Sequence, residues 1–529
     1  MTDRPTPPES ESESESESES ASASTTEPEP ETASTPEPAS APEFASALGR
    51  GSQQPGARPE PRPAGSPAAD RPTAEVWAAL GGPAELLDRV AFHGPQGGLP
   101  SGLPVSRFAR ATVAVCSLAA AELAALRSGG PVPAVRVDEG AVATSFVSER
   151  HLEIDGRKPV GFAPLSGFWR TADGWIRTHA NYPHHRDRLL AVLGLAPDAG
   201  PEQLAEALGK LPGEQVQERA YAAGALAVAV APVSAAAHPL VECREVGAAP
   251  VRPLVAAPVD RPAAGIRVLD LSRVISGPVA TRTLALLGAD VLRIDSPRLP
   301  EAEDAHTDTG FGKRSTRLDL ADPADRATFE GLLDTADVVV NAYRPGSLDA
   351  HGLAPEALFA RRPDLILAQI SAWGWTGPWA ARRGFDSLVQ AGVGIAAHEA
   401  GPDGRPGVLP AQALDHGTAY LLAAAVLRAL TEQRTHRPGG RHLRFSLVGS
   451  ASWLMRGIPA EPAEPAGLTG PTGPGLPGAE PYDPAHWLTE TDSAYGRLRY
   501  ALPPIGYDGA PRDWAVPPGR WGTDAPVWR

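Results

Sequence analysis

The chain has 529 residues, a formal charge of −15, 42% hydrophobic residues and two cysteines, Cys116 and Cys243. That length leaves room for two or three domains with a sizeable core. The acidic balance offers no basic surface for nucleic acid, and two cysteines without a CxxC or HxxxH partner exclude a disulfide framework and make a metal site unexpected.

Residues 1–72 hold 14 Asp or Glu against 5 Arg, with one aromatic, Phe44, and six consecutive Glu-Ser pairs from Glu9 to Ser20. Such a composition cannot bury enough apolar surface to offset the cost of ordering, so a disordered acidic tail is expected. No apolar run approaches the roughly 18 residues of a membrane helix. The start MTDRPTPPESESES has no basic n-region or apolar core, so the expectation is a cytoplasmic chain without a membrane span.

Order is expected from about Thr73, where AEVWAALGGPAELLDRV has the helical period, and Arg107 to Leu126 reads as an Ala-rich helix. GFWRTADGWIRTHA places two strand-like runs about Asp173-Gly174, a hairpin signal. Helical patterns follow in HHRDRLLAVLG, PEQLAEALGKL and GEQVQERAYAAG, and the Pro-rich run to Pro262 reads as a linker or return segment.

From Gly265 short apolar strands alternate with helices. IRVLDL (266–271), DVLRID (290–295), STRLDL (315–320), DVVVNAY (337–343), LILAQIS (365–371) and HLRFSLVG (442–449) are the strands, with helices opening at Gly277-Pro278, Pro323 and Pro355. This alternation predicts a doubly wound, parallel α/β sheet, which binds ligands beyond the carboxyl ends of its strands. A nicotinamide reading fails because SRVISGP lacks G-x-G-x-x-G, and Asp295 matches the ribose acceptor by position alone. Trp373, Trp375 and Trp379 read as packing. The Pro/Gly-rich run from Pro459 and the aperiodic aromatic segment to Arg529 read as an extended arm.

LDHGTAYLLAAAVLRAL (414–430) isolates one carboxylate, Asp415, at the start of an apolar helix. On pattern alone this is an N-cap. AAAELAAL (119–126) and AAAVLRAL (423–430) share six of eight residues at an offset of 304, each followed by a double glycine and a strand. The echo suggests duplication, with Asp415 falling on Ala111.

Taken together, VLDLSRVISGP, LLGADVLRID, KRSTRLDL, YRPGSLDAHGL, ISAWGWTGPWAARRGFDSLVQAGVG and LDHGTAYLLAAAVLRAL resemble the class III coenzyme A transferases. That family includes formyl-CoA and carnitine CoA-transferases and the α-methylacyl-CoA racemases. The resemblance implies a Rossmann-like CoA-binding domain with a smaller α+β domain, and four regions: the tail 1–72, a truncated, degenerate half 73–260, a catalytic domain 261–458 and an arm 459–529. The small domain normally follows the catalytic helix, so the order here looks tandem or permuted.

By the same resemblance Asp415 is the nucleophile of an acyl-CoA:carboxylate CoA-transferase. Val274, Ile275, Ser276 and Gly277 line the thioester and pantetheine, Lys313 and Arg314 meet the CoA phosphates, and Tyr343 and Arg344 meet the adenine end. The substrates are an acyl-CoA thioester and a carboxylic acid acceptor, with no tightly bound cofactor or metal, no nucleic acid and no membrane, in a possible homodimer. For each of these residues an ordinary structural role remains open: a helix start at Gly277-Pro278, a solvated basic pair at 313–314, a core tyrosine at 343. The chain departs from the family at Ala342, where an Asn is usual, and at Ala350, where an Arg is. Phe385 stands where the racemases have a proton-shuttling His, which argues against racemase chemistry. A degenerate CoA-binding scaffold is the other alternative.

Overall fold

The computed structural model describes residues 69–234, 236–459 and 481–529. Residues 1–68 of the expected tail, and 460–480 of the Pro/Gly-rich run, lie outside the described residues. Among the described residues, α1 (Arg71–Ala79) begins slightly before the expected Thr73. The reason is a cap: the Asp70 carboxylate accepts from Thr73 N at 3.1 Å and from Arg110 Nη2 at 2.6 Å, fixing the helix start to its neighbour. A 3₁₀ turn leads to β1 (Val90–His93), then α2 (Val105–Ser128) and β2 (Val135–Asp138), which pairs in parallel with β1. Short helices α3 (Glu139–Ser145) and α4 (Ser148–His151) and strand β3 (Glu153–Ile154) follow.

Residues 165–229 form the small α+β unit foreseen from the hairpin signal. Strands β4 (Phe168–Arg170), β5 (Trp175–Thr178) and, beyond helices α5 (Pro183–Val192), α6 (Pro201–Gly209) and α7 (Gly213–Ala222), β6 (Ala227–Ala229) make an antiparallel sheet in the order 4-5-6. The helices bury Leu189, Leu190, Leu204, Leu208, Val216 and Ala220 against it in a core of their own.

The expected linker after Val230 contains a strand that the Pro-rich composition concealed, β7 (Glu242–Val246). The large sheet is then built from β8 (Arg267–Leu271), α8 (Ser276–Leu286), β9 (Asp290–Asp295), α9 (Glu303–Thr309), β10 (Arg314–Arg317), α10 (Pro323–Leu333) and β11 (Val338–Asn341). After these come α11 (Pro355–Arg361), β12 (Ile366–Ser371), α12 (Asp386–Gly392), α13 (Ile395–His398), α14 (Ala413–Thr435) and β13 (Gly440–Ser446). Its strand order is 10-9-8-11-12-13-7: six parallel strands in the doubly wound arrangement and β7 antiparallel on the edge. The chain reverses direction across the sheet between β8 and β11, and the crevice beyond their carboxyl ends is where such sheets take ligands. The last run expected as strand, 442–449, ends early because Ser446 caps a new helix, α15 (Leu447–Ser452), accepting from Gly449 N at 3.1 Å.

The C-terminal segment is an arm only in part. It first forms a hairpin, β14 (Leu488–Ser493) and β15 (Gly496–Ala501), paired with β3. Beyond it, the chain covers the exposed edge of β10, with Asp524 N donating to Ser315 O at 2.8 Å and Ser315 N to the Asp524 carboxylate at 2.8 Å, so that edge offers no free ladder to another strand.

The main core runs without a break from residues 76–146 into residues 263–458, through the pairing of α2 with α14. Contrary to the expectation from composition, α2 has an 18-residue window apolar enough to span a membrane by length and hydropathy, and 78% of that window is buried inside the fold. It is apolar all round because α14, α1 and β2 enclose it. Along their contact Gly417 of α14 faces Phe108 of α2. A Cβ on Gly417 would lie 2.1 Å from the Phe108 ring. In an open helix Gly→Ala gains about 1 kcal/mol, whereas overpacking costs about 1–3 kcal/mol. Gly417→Ala is therefore expected to lower the unfolding free energy by about 1–2 kcal/mol in chemical denaturation, the opposite sign to an exposed helical glycine.

Candidate active site

Asp415 stands in the first turn of α14, with the backbone cap at Gln412. It is not itself the cap, as the pattern suggested. That service comes from another element: the carboxylate of Asp386, first residue of α12, accepts from Asp415 N at 3.0 Å, is held by Gln390 one turn on, and is further stabilised by the Leu414 amide. Gln390 in turn accepts from Leu409 N at 3.0 Å, tying the loop before α14 to α12. The Asp415 carboxylate, 7% exposed, accepts no hydrogen bond among the described residues.

Two carboxyl groups are thus buried side by side, and both are held above the usual carboxylate range. Burial is the main cause for each; for Asp415 the neighbouring charges of Asp386 and Glu149 add to it. The helix N-terminus favours an anion at this place, but burial and two carboxylate neighbours outweigh it. Glu149 comes from α4 in the N-terminal half and pairs with His416 Nε2 at 3.3 Å. His416 is fully buried against the Phe146 ring, with centroids 5.5 Å apart, and Tyr420 on the next turn shares a hydrogen bond of 2.7 Å with Ser145. Residues 145–149 therefore clamp the first two turns of the helix that carries Asp415. Nothing in the spacing of residues 139–151 signals this.

Of the residues expected around CoA, the turn 274–277 and Tyr343 and Arg344 follow β8 and β11, where the sheet reverses. Val274 has a φ of +72°, a strained conformation for a β-branched residue. The turn is tied down from β9: Glu301 receives Arg293 Nη2 at 3.0 Å, Arg273 Nε at 3.3 Å and Tyr182 OH at 3.0 Å. Burial works against ionisation of Glu301, but Arg293 and Arg273 outweigh it and hold its carboxyl at about 2. Strain over-determined in this way is a mark of ligand-binding loops. Ile275 caps α8, and Ser276 opens it with a buried hydroxyl that has no hydrogen-bond partner. Gly277 is required by close approach: a Cβ there would lie 2.3 Å from that of Ser272 and 3.2 Å from that of Ala342.

Lys313 and Arg314 are placed differently from the expectation. The Lys313 ammonium is buried beneath the loop, 3.1 Å from the Asp270 carboxylate, 3.0 Å from Pro278 O and 2.9 Å from Thr281 Oγ1, and burial lowers its pKa to about 8 despite Asp270. Arg314 pairs with Asp290 at 2.7 Å and with the carbonyl of Val527 in the C-terminal arm. A buried charge needs close partners, so neither cation faces solvent: Lys313 lies beneath the loop, and Arg314 joins the starts of β9 and β10 to the C-terminal arm. Asp295 is likewise engaged, by Arg293 at 2.9 Å and Trp521 Nε1 at 2.9 Å, which removes it as a ribose acceptor. Tyr343 is half-buried with its phenol pushed up to about 12 by burial, and Arg344 is exposed. Arg344 lines a cleft of about 480 Å³ with Asn341, Gln369, Trp375 and His442. Trp373 and Trp379 pack edge to face, centroids 4.6 Å apart.

Residues 263–485 match the family model described as CoA-transferase family III. Over this segment the chain is similar to the class III CoA-transferases. A probable fatty acyl-CoA transferase of Mycobacterium tuberculosis is 36% identical over 183 residues, covering 32% of this chain and 46% of that protein. A succinate–glutarate CoA-transferase of Agrobacterium fabrum is 34% identical over 206 residues, 35% of this chain and 51% of that one. A formyl-CoA:oxalate CoA-transferase of Bradyrhizobium is 33% identical over 276 residues, 50% of this chain and 64% of that one. Among solved structures, a CAIB/BAIF family protein from Brucella suis matches 37% of this chain and 56% of its own at 30% identity, with a TM-score of 0.34. The chain spans about half the length of the curated relatives it matches.

The buried pair has a consequence for stability. A carboxyl whose pKa is raised in the folded state binds more protons there than in the unfolded chain, so stability falls as pH climbs from the unfolded value of about 4 through the raised one. Asp415→Asn removes that loss. The variant is expected to be more stable than the parent by on the order of 1 kcal/mol at pH 8, with the gain shrinking towards pH 4 in thermal melts across that range.

Proposed function

We propose that this chain is an acyl-CoA:carboxylate CoA-transferase that works through a covalent intermediate on Asp415. One observation carries the reading: a buried carboxylate without a hydrogen-bond partner, at the mouth of α14, shares its environment with Asp386. The segment is matched by the family III model, and relatives are named for transfer to oxalate and between succinate and glutarate.

In the proposed reaction an Asp415 oxygen attacks the thioester carbonyl and the C–S bond breaks, leaving a mixed anhydride and CoA thiolate. The thiolate then attacks the aspartyl carbonyl, releasing the first acid and forming an aspartyl-CoA thioester. The acceptor carboxylate attacks that thioester and returns the thiolate, which takes the new acyl group and frees the aspartate. Splitting the exchange in this way replaces one difficult step with easier ones. The strained turn Val274–Gly277 faces the thioester and pantetheine, the unpartnered Ser276 hydroxyl supplies a donor there, and Tyr343 and Arg344 take the nucleotide end. Lys313 holds the start of α8 from beneath.

The attacking form is the carboxylate, so the raised pKa of the buried pair sets the acid side of the pH profile. kcat/KM is expected to rise with pH through a range above that of an ordinary aspartate. The covalent step is tested by incubating the protein with short and medium acyl-CoAs, trapping with hydroxylamine and mapping the adduct by mass spectrometry. A label at Asp415 that is absent from Asp415→Ala is the expected result. CoA binding without any adduct would instead make the chain a CoA-binding scaffold, and exchange of the substrate α-proton with deuterated water would point to a racemase.

A further inference from the structure

Seven arginines are buried among the described residues, and six of them donate hydrogen bonds to carbonyl or carboxylate oxygens: Arg127, Arg282, Arg293, Arg314, Arg428 and Arg441. The seventh, Arg177 on β5, donates to none. It is 7% exposed, its Nε is buried without a partner, and its terminal nitrogens keep contact with accessible space. Two aromatic rings flank it: its guanidinium carbon lies 5.0 Å from the Phe162 ring centroid and 4.9 Å from that of Phe168, its cross-strand neighbour. Burial lowers its pKa to about 10, so it remains a cation at neutral pH. The Asp386 carboxylate acts on it electrostatically but gives it no hydrogen bond, and a buried cation whose donors are left unpaired is costly.

Its surroundings say which ligand. β5 packs on α12, whose first residue is Asp386. Two residues along from Arg177, the His179 ring lies flat on Phe385, 3.7 Å between centroids and 4° between planes. The small α+β unit thus sets the strand of Arg177 against α12, whereas Arg344 lines the separate cleft beyond β11. Arg177 acts electrostatically on Asp386, while the charges that act on Asp415 are Asp386 and Glu149. His179 Nδ1 and both nitrogens of His185 are also buried without partners. Both rings are held neutral by burial, with pKa values near 3, and are available as uncharged hydrogen-bonding groups.

We infer that Arg177 is the anchor of a second-anion subsite, so that the acids exchanged at Asp415 are dicarboxylates, one carboxylate reacting and the other paired with the Arg177 fork. A planar guanidinium takes a carboxylate through two parallel hydrogen bonds, which fixes position as well as charge. The inference rests on the transferase reading for the identity of the reacting end. It goes beyond that reading in assigning a substrate class and a residue from the N-terminal half that selects it.

The test uses the full chain and whichever acyl-CoA labels Asp415. Acceptors are compared in pairs of equal length, succinate with butyrate and glutarate with pentanoate. The parent is expected to favour the dicarboxylate at least tenfold in kcat/KM, and Arg177→Met to reduce that ratio at least tenfold, mainly through KM for the dicarboxylate. If Arg177→Met fails to fold, Arg177→Lys carries the test, because an ammonium keeps the charge but loses the fork and should lower the same ratio in part. Equal use of the two acids by the parent, or a ratio unchanged in the variants, overturns the subsite while leaving an Asp415 adduct, and so the transferase, standing. Should no adduct form at all, titration calorimetry of succinate and glutarate still decides the matter. Binding by the parent that is weakened in Arg177→Met or Arg177→Lys supports the subsite, and absence of binding, or binding equal in parent and variants, overturns it.

Discussion

Two carboxyl groups buried against the start of one helix are the constraint that the rest of this structure answers to. Asp386 stabilises α14 by accepting from its free amides, and in doing so places a like charge beside Asp415. An isolated surface helix would hold such a carboxylate ionised. Here the α2–α14 pair removes it from water, and a helix start that would otherwise be merely well capped becomes a poised acid. Burial without partners costs stability, and buried groups of this kind concentrate at functional sites.

The elements around the pair are arranged to keep it there. α2 lies along α14 with Phe108 in the notch left by Gly417, and Arg428 reaches across to Glu122 while also pairing with Glu432 on its own helix. Residues 145–149 pin the outer side through Tyr420 and His416. On the facing side, the Glu301 network holds the Val274 turn in its strained form, and the small α+β unit reaches both parts: Tyr182 touches Glu301 while His179 lies on Phe385. Segments before residue 230 thus contribute to each wall of a crevice whose floor is the large sheet.

Much of the fold could be read from period and punctuation. Alternating strands and helices from Gly265, the Asp173-Gly174 hairpin and the three helices of the small unit depend on local spacing, and local spacing survives folding. What escaped has physical causes. The antiparallel strand β7 lies in a Pro-rich run and exists because β13 offers it an edge, and residues 442–449 change from strand to helix at Ser446 because a hydroxyl can cap an amide three residues on. Lys313 and Arg314, a basic pair in the chain, are internal ions in the fold, since Asp270 and Asp290 arrive from other strands.

The sequence by itself determined the alternation that makes the doubly wound sheet, the position of Asp415 at a helix start and the family motifs between residues 265 and 458, because each is written in neighbours along the chain. Only the tertiary structure decided that Asp386 and Glu149 converge on that helix start. Burial and the distance between charges depend on which distant segments meet, and those distances turn an aspartate at the start of a helix into a carboxyl that is hard to ionise.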